Sequence, residues 1–254
     1  MEQRILRKIW RAVIEFDLIA PGDKILVGLS GGKDSTFLLN ALATMQRFAP
    51  FDFQVGAVTI DLGFETSMDR NHLLSICQSL KVPFHFEETD ISKRAFNHKK
   101  QNPCPLCAHF RRGAVANIAV DNNYNKIAFA HHLDDAVETF LMSQIYSGQI
   151  RTFSPKTFWK RKGLEVIRPL VYMREKEIIG AVRKLDIGIL DSSCPLNGET
   201  KRAEVKQLIK GLTKSNHQVF NNLVAAMRND NAELWPKLED RGIIRKKYKV
   251  LGFI

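Results

Sequence analysis

Three observations in these 254 residues predict an α/β fold, a doubly wound parallel sheet with an N-terminal helix before it and a C-terminal helical extension after it. Short apolar runs alternate with stretches of helical periodicity. A glycine-rich turn, Ser30-Gly31-Gly32-Lys33-Asp34-Ser35, joins the first apolar run to the first helix that follows. Each further cluster of chemically capable residues ends a strand pattern or opens the next helix, the edge at which such sheets bind ligands. The chain is 44% hydrophobic and 26% charged, an ordinary globular balance at a length that fills one large domain.

The elements follow in order. Ile5, Ile9, Ala12, Val13 and Phe16 mark one stripe of an amphipathic helix closed by Pro21-Gly22, an N-terminal unit of residues 1–22. Strands are predicted near 24–29, 54–60, 83–87, 125–130 and 165–169. Helices are predicted near 34–47, 67–81, 108–122, 134–147 and 174–185, which makes residues 23–190 the sheet domain. Beyond it, Val205, Leu208, Ile209 and Leu212, then Phe220, Leu223, Val224 and Met227, suggest two more helices in an extension over 191–254. The stretches 89–103 and 148–163 are basic and show no regular pattern.

The glycine-rich turn is a phosphate site in form, because its backbone N–H groups point one way at the positive end of a helix dipole. It departs from the common nucleotide loop. Three residues, not four, separate Gly28 from Gly32-Lys33, and Asp34 stands where a Ser or Thr would hold magnesium. Ser30, Gly31, Gly32, Lys33, Asp34 and Ser35 are the candidate ligands of ATP or pyrophosphate. Asp61, at the end of the second strand, joins them.

His131-His132-Leu133-Asp134-Asp135 follows the short strand Ile127 to Ala130. Asp134 is a candidate N-cap for the next helix. Asp134 and Asp135 together suit Mg²⁺ beside a triphosphate, since that ion keeps most of its water and takes few carboxylates. His131 is a candidate phosphate contact.

Of the four cysteines, Cys77 lies on an apolar helix face with Leu73 and Leu80 and reads as core. Cys104 and Cys107 form Cys-Pro-Leu-Cys just before a predicted helix, a metal or redox pair rather than a structural disulfide. Cys194 supplies a third thiol. Three thiolates suit a [4Fe–4S] cluster with one iron left open, and zinc with His109 or His98 as fourth ligand is the competing assignment.

The net charge of +11 and pI near 9.6 point to a polyanionic partner, and nucleic acid uses more positive charge than ATP needs. Phe153, Phe158 and Trp159 are interleaved with the basic cluster Lys156 to Lys162, as a base-stacking surface requires. No apolar stretch reaches membrane length and the N-terminus lacks a signal-peptide pattern, so the expected site of action is the cytoplasm, with no membrane partner.

With these motifs placed, the chain resembles the PP-loop (N-type ATP pyrophosphatase) superfamily and, within it, the TtcA-like tRNA 2-thiocytidine biosynthesis family. The resemblance spans about residues 5–230. It is carried by Ser30 to Ser35, Cys104 to Gly113 with its Arg111-Arg112-Gly113, His131 to Asp135, Ile167-Arg168-Pro169-Leu170 with Arg174-Glu175-Lys176, and Cys194. It implies an adenine nucleotide alpha hydrolase-like, Rossmann-like fold. It implies an ATP-dependent tRNA sulfurtransferase that adenylates C2 of an anticodon-loop cytidine, at tRNA position 32, and replaces its oxygen with sulfur. A [4Fe–4S] cluster on Cys104, Cys107 and Cys194, Mg²⁺, and catalytic roles for Asp34, Arg111, Asp134 and Asp135 belong to that expectation. So do a sulfur donor, such as a cysteine desulfurase or free sulfide, and room for a homodimer. Asn197 stands where the family often has a second Cys, Ala130 replaces a usual Gly, and the tail after about residue 230 offers little to match. A thiouridine- or lysidine-forming relative and a non-catalytic, zinc-bearing tRNA-binding module remain the alternatives.

Overall fold

The computed structural model describes residues 2–65, 68–97, 103–185, 188–190, 194–195, 200–228, 241–250 and 252. Strands are β1 (Lys24–Gly28), β2 (Gln54–Asp61), β3 (Phe84–Glu88), β4 (Lys126–Ala128), β5 (Lys156–Trp159) and β6 (Leu164–Ile167). Helices are α1 (Gln3–Glu15), α2 (Lys33–Phe48), α3 (Arg70–Leu80), α4 (Ile91–Phe96), α5 (Pro103–Asp121) and α6 (Leu133–Ser147). Four more follow: α7 (Glu175–Leu185), α8 (Lys201–Ser215), α9 (Val219–Ala226) and α10 (Arg241–Val250).

The strand order is β3-β2-β1-β4-β6-β5, parallel throughout except for β5, which pairs antiparallel with β6 at the edge. The chain runs outward from β1 to β3, then returns to place β4 on the other side of β1. A crevice opens where that direction reverses. Both faces of the sheet are covered, and the period of two sorts its side chains. Ile25, Val27, Val55 and Ala57 pack into a core shared with α1, α2, α3, α6 and α7. Leu26, Val58, Ile60, Ile127 and Val166 face the opposite way, against α4 and α5. Val205, Ile209 and Phe220 join the first core, so α8 and α9 are fastened to the sheet domain by buried apolar surface.

Four local readings are corrected. Two elements lie in stretches that showed no pattern: α4, too short for periodicity to register, and β5, an edge strand whose basic flanks mask its alternation. Helix α5 starts at Pro103, so Cys104 and Cys107 lie inside its first turns rather than before it. Pro103 and Pro105 are no obstacle, because first-turn amides have no partner within the helix. The N-cap of α6 is His132, not Asp134: its side chain accepts from the Asp135 N–H while the Asp135 carboxylate accepts from the His132 N–H, a reciprocal capping box. Asn197, His98 and residues 229–240 lie outside the described residues. No helix among the described residues is long and apolar enough to cross a membrane.

Candidate active site

Helices α2, α6 and α7 each follow a parallel strand, so their N-termini meet at the carboxyl edge of the sheet. Helix α5 precedes β4 and therefore brings its own N-terminus to the same edge. Positive helix ends thus gather around the crevice between β1 and β4, a setting that favours anions.

The glycine-rich turn occupies that crevice. Gly31 has φ of 78°, which only glycine adopts without strain, and Gly32 is the N-cap of α2 without a capping side chain. The first amides of α2 are therefore not taken by a side chain of the cap residue. Ser35 fixes the turn: its hydroxyl donates to the Gly32 carbonyl at 3.0 Å and accepts from the Ser30 N–H at 3.1 Å. The Ser30 and Ser35 hydroxyl oxygens lie 3.0 Å apart. Leu190 crosses above, donating its N–H to the Gly31 carbonyl at 2.9 Å.

Lys33 pairs with Asp34 at 3.0 Å and with Glu175 at 3.1 Å. Burial alone would lower its pKa, but the two carboxylates outweigh it and hold it above the usual lysine range. Oδ1 of Asp34 is buried without a hydrogen-bond partner. His132 faces that oxygen from 3.9 Å with Nε2, and because its Nδ1 accepts the capping bond, Nε2 carries the proton in the neutral ring. An orphaned carboxylate oxygen beside a phosphate loop fits a cation ligand.

The paired aspartates are held by arginines from later in the chain. Asp134 receives Arg174 Nε at 3.1 Å and the Glu175 N–H at 2.8 Å, while the Arg174 guanidinium lies 3.3 Å above the Phe220 ring centroid. Asp135 receives Arg202 at 2.8 Å. Beneath them Glu138 is 4% exposed, and burial, with Asp135 beside it, pushes its carboxyl up to about 7. Asp61 accepts from the Gly63 N–H at 2.9 Å, ordering the turn after β2. Sequence reasoning missed Arg174, Glu175 and Arg202 as site residues. Their partners lie far away along the chain, and the only local signal was Arg174-Glu175 just ahead of an amphipathic helix.

Cys104 and Cys107 share one face of α5, with Arg111 a turn beyond. Burial pushes the Cys107 thiol up, Arg111 draws it down, and Cys194 and Cys104 push it up again. The three thiols thus share one electrostatic neighbourhood, although no three His, Cys, Asp or Glu side chains among the described residues close into a metal-binding group. The donor set fits an iron–sulfur cluster, for which mutually repelling thiolates need a multivalent cation. His109 turns to a separate cavity of about 680 Å³ between α4 and α5. Cys77 is fully buried, its thiol pushed up to about 12 by burial, as core placement requires.

The flank of the crevice is aromatic and basic. The Phe153 ring lies tilted against His131, centroids 5.1 Å apart, with Arg168 5.2 Å above it. Burial, then Arg168, push His131 down to about 4, so the ring is neutral at pH 7. Burial and nearby Arg112 push Arg168 down to about 10. Of the three aromatics proposed to stack bases, only Phe158 is exposed, because Trp159 packs on Phe129.

Residues 1–211 match the PP-loop domain family. The tRNA-cytidine(32) 2-sulfurtransferase of Citrifermentans bemidjiense is 33% identical over 250 residues, covering 96% of this chain and 95% of that protein. Its counterpart from Geobacter sulfurreducens is 36% identical over 233 residues, covering 89% and 90%. Among solved structures, the U34-tRNA thiolase NcsA from Methanococcus maripaludis with its [4Fe-4S] cluster superposes with a TM-score of 0.71 at 20% identity, covering 99% of this chain and 80% of that one, which establishes the shared fold. The phosphate turn, the crevice that seats it and relatives matched along nearly the whole length agree: the chain belongs to the PP-loop family, alongside the tRNA-cytidine(32) 2-sulfurtransferases.

Proposed function

We propose that this chain is an ATP-dependent tRNA sulfurtransferase that converts a cytidine of the anticodon loop, at tRNA position 32, to 2-thiocytidine in the cytoplasm. What supports the reading is a phosphate turn at the carboxyl edge of the sheet, where α2 and the cysteine-bearing α5 both begin, in a chain 33–36% identical to relatives of that name.

The chemistry follows from the substrate. The oxygen on C2 of cytosine is a poor leaving group, so it attacks the α-phosphorus of ATP and pyrophosphate departs. Lys33 and the first amides of α2 offset the charge that develops on the departing group. Asp34, through its free oxygen, with Asp134 and Asp135 nearby, would hold Mg²⁺. A sulfur nucleophile then bonds to C2, the C2–O bond breaks and AMP leaves. A [4Fe–4S] cluster on Cys104, Cys107 and Cys194 would supply an open iron able to carry hydrosulfide. Arg111, beside Cys107, steadies a phosphate or the adenylated base, and Arg112 and Arg168 add charge for the RNA backbone. Holding nucleotide, base and sulfur together supplies an entropic advantage of roughly 7–11 kcal/mol. The sulfur comes from a cysteine desulfurase or free sulfide, and two copies of the chain could work as a homodimer.

Oxygen-free purification tests the reading, followed by assays of iron, acid-labile sulfide and tRNA-dependent release of AMP and pyrophosphate. The expected result is a coloured protein with about four irons per chain that releases both products only with tRNA. A colourless protein with stoichiometric zinc and no pyrophosphate release would defeat it.

A further inference from the structure

A carboxylate sits where a phosphate belongs. Glu175, the first residue of α7, lies between two ammonium groups, Oε1 3.1 Å from Lys33 Nζ and Oε2 2.6 Å from Lys206 Nζ. Lys33 opens α2 and Lys206 belongs to α8, so one anion joins the phosphate turn to the C-terminal extension. Burial works against the charge on Glu175, but hydrogen bonds from Lys206 and Lys33 keep its carboxyl below the usual range, and it is an anion at pH 7. Its N–H is donated to Asp134, which fixes the backbone while leaving the side chain free to swing. Nearby cations are committed elsewhere: Arg202 to Asp135, Arg174 to Asp134, and Lys201 to Glu204.

A phosphoryl group presents oxygens at nearly the spacing of a carboxylate and with more charge, so it competes well for the same two ammonium groups. Lysine suits such an exchange, since its charge is a point on a flexible stem. We infer that Lys206 is a second phosphate ligand of the nucleotide site, and that Glu175 is the internal anion which the β- and γ-phosphates displace. This rests on the ATP reading above and deepens it, because the C-terminal extension then takes part in nucleotide binding. When the phosphates arrive, Lys33 and Lys206 exchange one bridging anion for another, and Glu175 turns toward solvent.

The exchange has opposite signs in two variants. Lys206→Gln removes a ligand, whereas Glu175→Gln removes a competitor. A bridge that only held α7 against α8 would shift nucleotide affinity in the same direction in both. The experiment is calorimetric titration of the full chain with pyrophosphate, a non-hydrolysable ATP analogue and AMP, with urea midpoints recorded for each variant. Lys206→Gln is expected to weaken pyrophosphate and the analogue about tenfold, or ~1.4 kcal/mol. Glu175→Gln is expected to tighten both two- to fivefold, Lys206→Arg to stay near wild type, and AMP, lacking the outer phosphates, to be insensitive to all three. Pyrophosphate affinity within twofold of wild type in Lys206→Gln, or weakening in both Gln variants, overturns the inference. A wild-type chain that binds neither pyrophosphate nor analogue overturns the ATP reading itself.

Discussion

Gly31 is where a single methyl group tests both the phosphate turn and the segment that crosses it. At φ of 78° an alanine adopts the left-handed conformation at a cost of about 1–2 kcal/mol. Its Cβ would also lie 2.9 Å from Leu190 Cδ1 and 3.0 Å from Leu190 Cβ. The Cδ1 contact would yield by rotation, but Cβ moves only with its backbone, which is tied to Gly31 by the Leu190 N–H bond. Overpacking of that kind costs roughly 1–3 kcal/mol. Gly31→Ala is therefore expected to lose about 2–5 kcal/mol in urea unfolding, from the sum of those two costs. It should also weaken binding of a non-hydrolysable ATP analogue at least tenfold, since the turn opens or Leu190 lifts. Leu190→Gly removes the collision but not the left-handed cost, so in the Leu190→Gly background Gly31→Ala should cost about half of what it costs in the wild type, the loss of Leu190's own packing being common to both. Gly31→Ala with unchanged stability and affinity, or a Gly31→Ala cost that is the same with and without Leu190→Gly, would refute this geometry.

Other outcomes follow from the same contacts. Arg228 reaches Glu15 at 3.0 Å, and both side chains are at least nine-tenths buried, so Arg228→Ala should cost about 3 kcal/mol in urea unfolding, tempered by the remaining Arg11–Glu15 pair at 3.4 Å. Glu138 titrates near 7 when folded against 4.5 unfolded, so its stabilising protonated form is fully present below pH 4.5 and lost as pH rises through 7. His131 does the reverse: its folded value near 4 against 6.5 unfolded means stability lost as pH falls from 6.5 toward 4. The two slopes oppose each other between pH 4.5 and 6.5, so wild-type stability there should be nearly flat, and Glu138→Gln should expose a rise with pH. Its absence would remove the assignment of a neutral His131. Changing Cys104, Cys107 and Cys194 to Ser together should abolish iron binding and thiolation while leaving the analogue's affinity within twofold. Loss of nucleotide affinity in that variant would argue against separate seats for sulfur and phosphate.

Much of this architecture could be read from residue order. The interior strands β1, β2, β4 and β6 are mostly apolar runs ended by turn residues, as parallel strands buried on both faces must be, while the edge strand β3 showed through the alternation of Phe84 and Phe86 with polar residues. Strand β5 hid because it opens on Lys156, is followed by Lys160 and Arg161, and as an edge strand four residues long buries little. Helix α4 buries only Ile91, Ser92 and Ala95, too few positions to set a period. Within the site, Ser30 to Ser35 and the cysteine pair were legible because they are contiguous, and backbone geometry alone aims them. The partners of Lys33, Asp134 and Asp135 were not. Glu175, Arg174 and Arg202 reach them only after the sheet has brought α6, α7 and α8 together, and no local rule encodes that meeting. The Asp134 capping assignment failed for a related reason: a histidine ring took a place where a short side chain was expected.

Nucleoside mass spectrometry of total tRNA, from cells lacking this chain and from the same cells with it restored, reads the product of the proposed reaction itself. 2-Thiocytidine is expected to disappear without the chain, to return with it, and not to return with the triple Cys→Ser variant. An unchanged 2-thiocytidine level, or loss of a different modified nucleoside in its place, would contradict it.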